Sequence, residues 1–232
     1  MRREMKWYRW LCFTLALGLL MVTVLPAGAL PKIVYKHASA NGGMRVALTF
    51  DDGPHPRYTP QILDILAEFG VEATFFVVGT NAETYPKLIH RILAEGHEIG
   101  NHTYNHYHTP AMSGEALEKD VRACDECLQR ITGEAPRFFR PPEGVCSADV
   151  KNICSAMGYT IVLWSVDTRD WAHPTVWEIV RNVRANTGNG SIILMHDFIG
   201  KNSPTPEALR QIIPMLQESG YEFVTVSRLL ED

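Results

Sequence analysis

The chain has 232 residues, of which 46% are hydrophobic and 21% charged, and its formal net charge is -4. That length and apolar content suit one compact domain with a core plus a short extension, and they exclude a disordered or collagen-like chain. No basic stripe is present to track a phosphate backbone, so a nucleic-acid partner is not expected.

Arg2, Arg3, Lys6 and Arg9 precede an apolar run from Leu11 to Leu25, and Ala27-Gly28-Ala29 then supplies small residues of the A-x-A kind. Residues 1–29 read as a secretory signal peptide cut after Ala29. The rival is an uncleaved N-terminal membrane anchor with Trp7, Tyr8 and Trp10 at the interface. Both readings place the domain outside the membrane; a buried core element is the third. Residues 30–43 are a linker or N-terminal extension, or a strand that ties down the domain, and residues 44–232 form the main domain.

Met44 to Phe50 reads as a strand. Thr59 can cap a helix that has Pro60 at its first position and runs to Phe69, with Gly70 as its stop. Ala73 to Val78 is an apolar strand, Tyr85 to Glu95 a helix, and His97 to Gly100 a brief strand. A long amphipathic helix spans Gly114 to Ile131. Arg137 to Phe139 is a strand stub, Ala148 to Met157 a helix, and Tyr159 to Trp164 a strand. Pro174 to Asn186 is a helix, Ser191 to Met195 a strand, Pro206 to Glu218 a helix, and Tyr221 to Val226 the last strand. Strands and helices alternate six or seven times, as in an α/β barrel or an open parallel sheet, and the count favours a distorted, incomplete (β/α) barrel. Cys124 and Cys127 form a lone C-x-x-C within a helical pattern. Redox and zinc readings of this pair exist, the plainer one is that one or both fill a helix face, and a bridge somewhere among Cys124, Cys127, Cys146 and Cys154 is a further reading; Cys12 lies in the leader.

In such folds the chemistry collects at the C-terminal ends of the strands. Asp51 and Asp52 follow the first strand, and two adjacent carboxylates there suit a metal ligand beside a proton acceptor, although D-G is also a common turn pair. The i,i+4 spacing of His102 and His106 suits one face of a helical turn. With Asp52 they would make a two-His, one-carboxylate site with open positions for water; two loop histidines are the plainer reading. Arg140 precedes a stiff Pro141-Pro142-Glu143-Gly144 loop able to aim a backbone N–H at developing negative charge. Asp170 beside Trp171 suits an acid that orients a partner while the ring lines a groove, or else the ring is core. His196 ends a strand, where a neighbouring carboxylate would favour its protonated form for acid catalysis.

Five segments also resemble, in order, the motifs of the polysaccharide deacetylase family (the NodB-homology domain, carbohydrate esterase family 4): TFDDGP (Thr49 to Pro54), HTYNH (His102 to His106), RPPEG (Arg140 to Gly144), DTRDW (Asp167 to Trp171) and LMH (Leu194 to His196). The resemblance implies the distorted barrel of that family. It implies Asp51 as general base and Asp52, His102 and His106 as ligands of one divalent ion, most commonly Zn2+, with Co2+, Mn2+ or Ni2+ as alternatives. It also implies His196 as general acid, Arg140 steadying the base, and Asp170 tuning the acid. Trp171 and Leu194 would line the acetyl pocket, and the Glu143 N–H would help to hold the oxyanion. The expected substrate is an acetylated glycan, a cell-wall peptidoglycan or chitin-like polymer losing N-acetyl groups. The alternatives are an O-acetyl esterase on xylan or another glycan, and a catalytically silent glycan-binding protein. Two positions depart from the family pattern: Glu143 where tyrosine is common, and Tyr107 where proline is common.

Overall fold

The computed structural model describes residues 30–38 and 43–231. The leader or anchor assigned to residues 1–29, and Cys12 within it, lie outside the described residues; among those described, no helix is long and apolar enough to cross a membrane.

The elements in chain order are β1 (Ile33–Val34), β2 (Arg45–Asp51), α1 (Tyr58–Phe69), β3 (Thr74–Val77), α2 (Gly79–Thr84), α3 (Pro86–Ala94) and β4 (Glu98–Asn101). Then come α4 (Gly114–Thr132), β5 (Phe138–Phe139), α5 (Ala148–Met157), β6 (Thr160–Val162) and β7 (Val166–Asp167). The last are α6 (Val176–Asn186), β8 (Ser191–His196), α7 (Thr205–Glu218), β9 (Glu222–Phe223) and α8 (Val226–Leu229). The strands lie in the order β1-β6-β5-β4-β3-β2-β8-β7, with β9 also on β2, and all of these pairings are parallel.

Successive side chains of a strand point to opposite faces, and β2 shows what this does. Val46, Leu48 and Phe50 pack with the helices in the largest core cluster, together with Ile62, Leu63 and Leu66 of α1. Ala47 belongs to a second cluster with Val34, Phe76, Phe138, Val162 and Ile192. That second cluster draws a residue from each of six strands, including strands far apart in the sheet order. A flat sheet cannot bring these together, so the sheet curls around them into an incomplete (β/α) barrel with its helices outside.

The strand expected from Tyr159 to Trp164 keeps only β6, and a further strand, β7, follows it. β6 pairs with β5, and after three residues β7 pairs with β8 at the other end of the sheet. The chain bends here because the curl must be closed from both sides. β1 extends the closure: it pairs with β6, while Lys36 bridges to Ser191 and the His37 N–H donates to the Gly190 carbonyl. Of the two readings left open for residues 30–43, Ile33–Val34 therefore forms a strand.

Other boundaries moved for local reasons. α1 starts at Tyr58, and Thr59 does not cap it: its hydroxyl accepts from the His55 N–H and donates to Asp197. Gly70 ends the helix with φ 63°, as its missing Cβ allows. α2, between the expected strand that ends at Val78 and the expected helix that starts at Tyr85, is an additional element. α6 starts after Thr175, which forms a capping box with Glu178. The expected strand from Tyr221 to Val226 keeps only β9 before turning into α8. Cys124, Cys127, Cys146 and Cys154 are all free thiols, so no bridge joins them; Cys124 and Cys127 fill the buried face of α4.

Candidate active site

A pocket of about 380 Å³ opens at the C-terminal ends of the strands, lined by Asp51, Asp52, His102, His106, Glu143, Trp164, Asp167, Trp171, Leu194 and His196. Strand register explains several of these. In β2 and β8, residues two apart share a face, so the inward side that begins at Ala47 and Ile192 continues to Asp51 and to Leu194 and His196. β2 and β8 pair with Asp51 beside His196.

Asp51 is buried against Arg140, itself fully buried, with Nη1 donating to the carboxylate at 2.7 Å. The same guanidinium donates to Thr49 Oγ1 and to the carbonyls of Val162 and Leu163, and it lies over the Phe76 ring. Burial pushes the Arg140 pKa down, and the Asp51 charge opposes this. A cation with this many fixed partners holds its carboxylate in one orientation.

Asp52 leaves the strand with φ 75° and so turns away from the direction of Asp51. Its Oδ1 lies 3.4 Å from His102 Nε2 and 3.1 Å from His106 Nε2. The two histidines do not share a helical face. Residues 102 to 108 form a loop in which Thr103 and His106 have φ values of 69° and 55°. These left-handed residues, rather than helical periodicity, bring the two imidazoles together, with ring centroids 4.9 Å apart. His102 Nδ1 lies 2.7 Å from the Arg140 carbonyl oxygen, which can only accept, so Nδ1 carries a proton and Nε2 is left as the ligand nitrogen. Burial alone would raise the Asp52 pKa, but the two imidazoles beside it hold the carboxyl well below the usual carboxylate range.

The fit of this trio to a metal ion can be tested on the geometry. Asp52 Oδ1 is buried with no hydrogen-bond partner, although both imidazoles stand near it. The three ligand atoms lie within 4.8 Å of one another. Tetrahedral ligands at about 2.1 Å from one ion are separated by roughly 3.4 Å, close to the Oδ1–Nε2 distances. An orphan oxygen and two imidazole nitrogens at this spacing form a candidate divalent-cation site.

Opposite it, His196 Nδ1 lies 2.7 Å from Asp170 Oδ1. Asp170 is fully buried and closely held: it accepts from the His196 and Trp171 backbone N–H groups and from the Thr205 hydroxyl. Burial disfavours a charged His196 ring, but the Asp170 hydrogen bond and charge outweigh this and push its pKa up to about 9. The carboxylate that serves His196 is therefore Asp170. The adjacent Asp197 points elsewhere, under Gly53, where a Cβ would come within 2.0 Å of its Oδ2, and burial pushes its pKa up to about 7. Trp171 is half-exposed in the pocket wall rather than core. Glu143 sits at φ 58°, with its carboxylate 2.8 Å from His108 Nδ1.

A family profile described as polysaccharide deacetylase matches residues 38–162. The chain belongs to the polysaccharide deacetylase family. A peptidoglycan-N-acetylglucosamine deacetylase of Bacillus cereus is 46% identical over 187 residues, covering 80% of this chain and 87% of that protein. A chitooligosaccharide deacetylase of Azorhizobium caulinodans is 37% identical over 188 residues, covering 76% and 90%. Among solved structures, a peptidoglycan N-acetylglucosamine deacetylase in complex with 4-naphthalen-1-yl-N-oxidanyl-benzamide superposes with a TM-score of 0.81 at 38% identity, covering 86% of this chain and 92% of that one.

All ten residues singled out in the sequence of this family member meet at or just behind the pocket; Arg140 and Asp170 stand behind Asp51 and His196. Sequence reasoning missed Thr205, Thr49 and Trp164. Thr205 is 35 positions from the carboxylate it serves, and nothing in its local sequence marks it. Trp164 did carry a signal, an aromatic at the C-terminal end of a strand.

Proposed function

We propose that this chain is a metal-dependent N-deacetylase of amino-sugar polymers, releasing acetate from a peptidoglycan or chitin-like chain. The observation that carries the reading is the convergence of the Asp51–Arg140 pair, the Asp52–His102–His106 trio and the His196–Asp170 pair on one pocket.

Asp51, held by Arg140, takes the proton of the attacking water, and the water oxygen adds to the acetamide carbon. A divalent ion on Asp52, His102 and His106, zinc first and Co2+, Mn2+ or Ni2+ as alternatives, supplies Lewis acidity toward water and acyl oxygen. The Glu143 backbone N–H, presented by a loop that two prolines stiffen, faces the developing oxyanion. Leu194 and Trp171 enclose the acetyl methyl and exclude water from it. His196 carries a proton at neutral pH and delivers it to the departing nitrogen, so that acetate and a free sugar amine result.

This last step favours amide over ester substrates. An amine leaves poorly unless protonated, whereas an alkoxide on a glycan needs the proton less. Acetate release is to be compared on matched N-acetyl and O-acetyl oligosaccharides. His196→Gln should lower the N-acetyl rate at least 100-fold and the O-acetyl rate much less. Equal losses on both, or a wild-type protein faster on O-acetyl xylan, would make the esterase reading the better one. Binding without acetate release from any of these substrates would point instead to a silent glycan-binding protein. The expected site of action is the outer, cell-wall face, reached through residues 1–29 as signal or anchor.

A further inference from the structure

The pocket lining contains four carboxylates, Asp51, Asp52, Glu143 and Asp167, and no lysine or arginine. Asp51 is answered by the buried Arg140. Asp52 faces two imidazoles. Asp167 accepts the backbone N–H of Arg169. Glu143 is different in kind. Half of its side-chain surface is exposed (51%), and its carboxylate is bonded to His108, an imidazole that is itself 59% exposed. One hydrogen bond leaves most of a carboxylate's acceptor capacity unused.

Nor is this an ordinary mobile surface acid. Glu143 occupies the left-handed region, which a residue with a Cβ keeps only where its surroundings impose it. Gly144 imposes part of this: a Cβ there would come within 2.7 Å of the Trp164 ring, so the loop lies flat against the pocket wall. His108 then ties the acid to the loop that follows the histidine pair. The result is a half-exposed carboxylate held in the pocket lining by its backbone and by His108. Arg169, two residues before Trp171, stacks over that ring and does not line the pocket.

We propose that Glu143, steadied by His108, is a specificity-determining residue. It favours acetylated amino-sugar polymers whose unit beside the reacting sugar is neutral or carries a free ammonium, and it disfavours a carboxylate at that place. The inference rests on the deacetylase reading and narrows its substrate class. It has a consequence for the product: each sugar amine that is released makes the adjoining acetylated unit a better substrate, so free amines accumulate in runs rather than at random.

The size of the effect follows from Coulomb's law. Two charges about 6 Å apart in water-like surroundings change affinity by roughly threefold, and by about tenfold where the dielectric is half that of water. The test uses a matched pair: an acetylated amino-sugar oligosaccharide with one carboxylate on the unit next to the reacting sugar, and the same molecule with that group as its primary amide. Affinities are measured by titration on the ion-loaded protein. The wild type should prefer the amide about three- to tenfold at low salt, with the preference shrinking as salt is raised. Glu143→Gln should bring the two affinities together, and Glu143→Lys should invert the order. Each ratio is read within one variant, so a general loss of binding cancels. A wild-type ratio that survives in Glu143→Gln overturns the proposal. Acetate release from a neutral oligosaccharide is followed in parallel; its absence in the wild type would count against the deacetylase reading, while the affinity ratio would still decide the role of Glu143.

Discussion

His196 has to give up a proton, and its surroundings decide the pH at which it has one. Burial favours the neutral ring, but the Asp170 hydrogen bond and charge prevail and push the pKa up to about 9. Acetate release should therefore fall on the alkaline side with a midpoint near this value. Asp170→Asn removes the charge while keeping the shape, so the limb should move toward the ordinary imidazole value near 6.5 and cost roughly 30-fold at pH 8. The stability consequence has a definite sign. A folded-state pKa above the unfolded one contributes stability that is fully present below about 6.5 and is lost as pH rises through about 9. Urea midpoints taken across that window should decline for the wild type and stay flatter for Asp170→Asn. An alkaline limb that does not move in Asp170→Asn would remove His196 from the role of acid. The Asp51–Arg140 pair follows another logic: both charges are buried, so the pair is weak evidence of stability and better evidence that one carboxylate orientation matters.

At the level of elements, β1 has more influence than its two residues suggest. Val34 sits in the interior cluster beside Ala47, Phe76 and Ile192, and its segment is joined to both β6 and β8. Val34→Ala should destabilise the fold by about 2 kcal/mol, from lost apolar contact in a place that cannot collapse to fill the gap. A denaturant series would check it; a change within about 0.5 kcal/mol would mean that the N-terminal segment merely lies on the barrel. The sequence did not make this element plain, since Ile33-Val34-Tyr35 is only three residues long between Lys32 and Lys36. Strands with a hydrophobic run, such as β2, β3 and β8, were readable within a residue or so. So were helices ended by glycine, such as α1, α4 and α5. What could not be read was whatever depends on partners remote in sequence: the division of Tyr159 to Asp167 between two neighbours, the diversion of Thr59 from capping to Asp197, and the loop path that unites His102 with His106. Asp51, Asp52, Arg140, Asp170 and His196 were legible because reactive residues at strand ends stand out against apolar strands. Thr205 was not, because one buried hydroxyl among many carries no mark.

For the molecule as a whole, Asp52, His102 and His106 come from two loops that cap different strands, so an ion held among them couples those loops to one another. An unfolded chain presents no such arrangement, and binding that favours the folded state adds to its stability as RT ln(1 + [L]/Kd). At a free ion concentration about 1,000 times Kd this is about 4 kcal/mol, which for a domain of this size corresponds to a Tm rise on the order of 10 °C. A strong chelator should therefore abolish acetate release and lower Tm together, and zinc should restore both. Asp52→Ala tests whether the coupling runs through this trio: it should be inactive, and its Tm should no longer respond to zinc. The lone Asp52→Ala protein need not be less stable than chelated wild type, because the substitution also removes a buried, unpartnered oxygen. If instead the Tm of Asp52→Ala rises with zinc as much as the wild type does, the ion is bound elsewhere, and the Lewis acid would have to be separated from the Asp51–His196 pair.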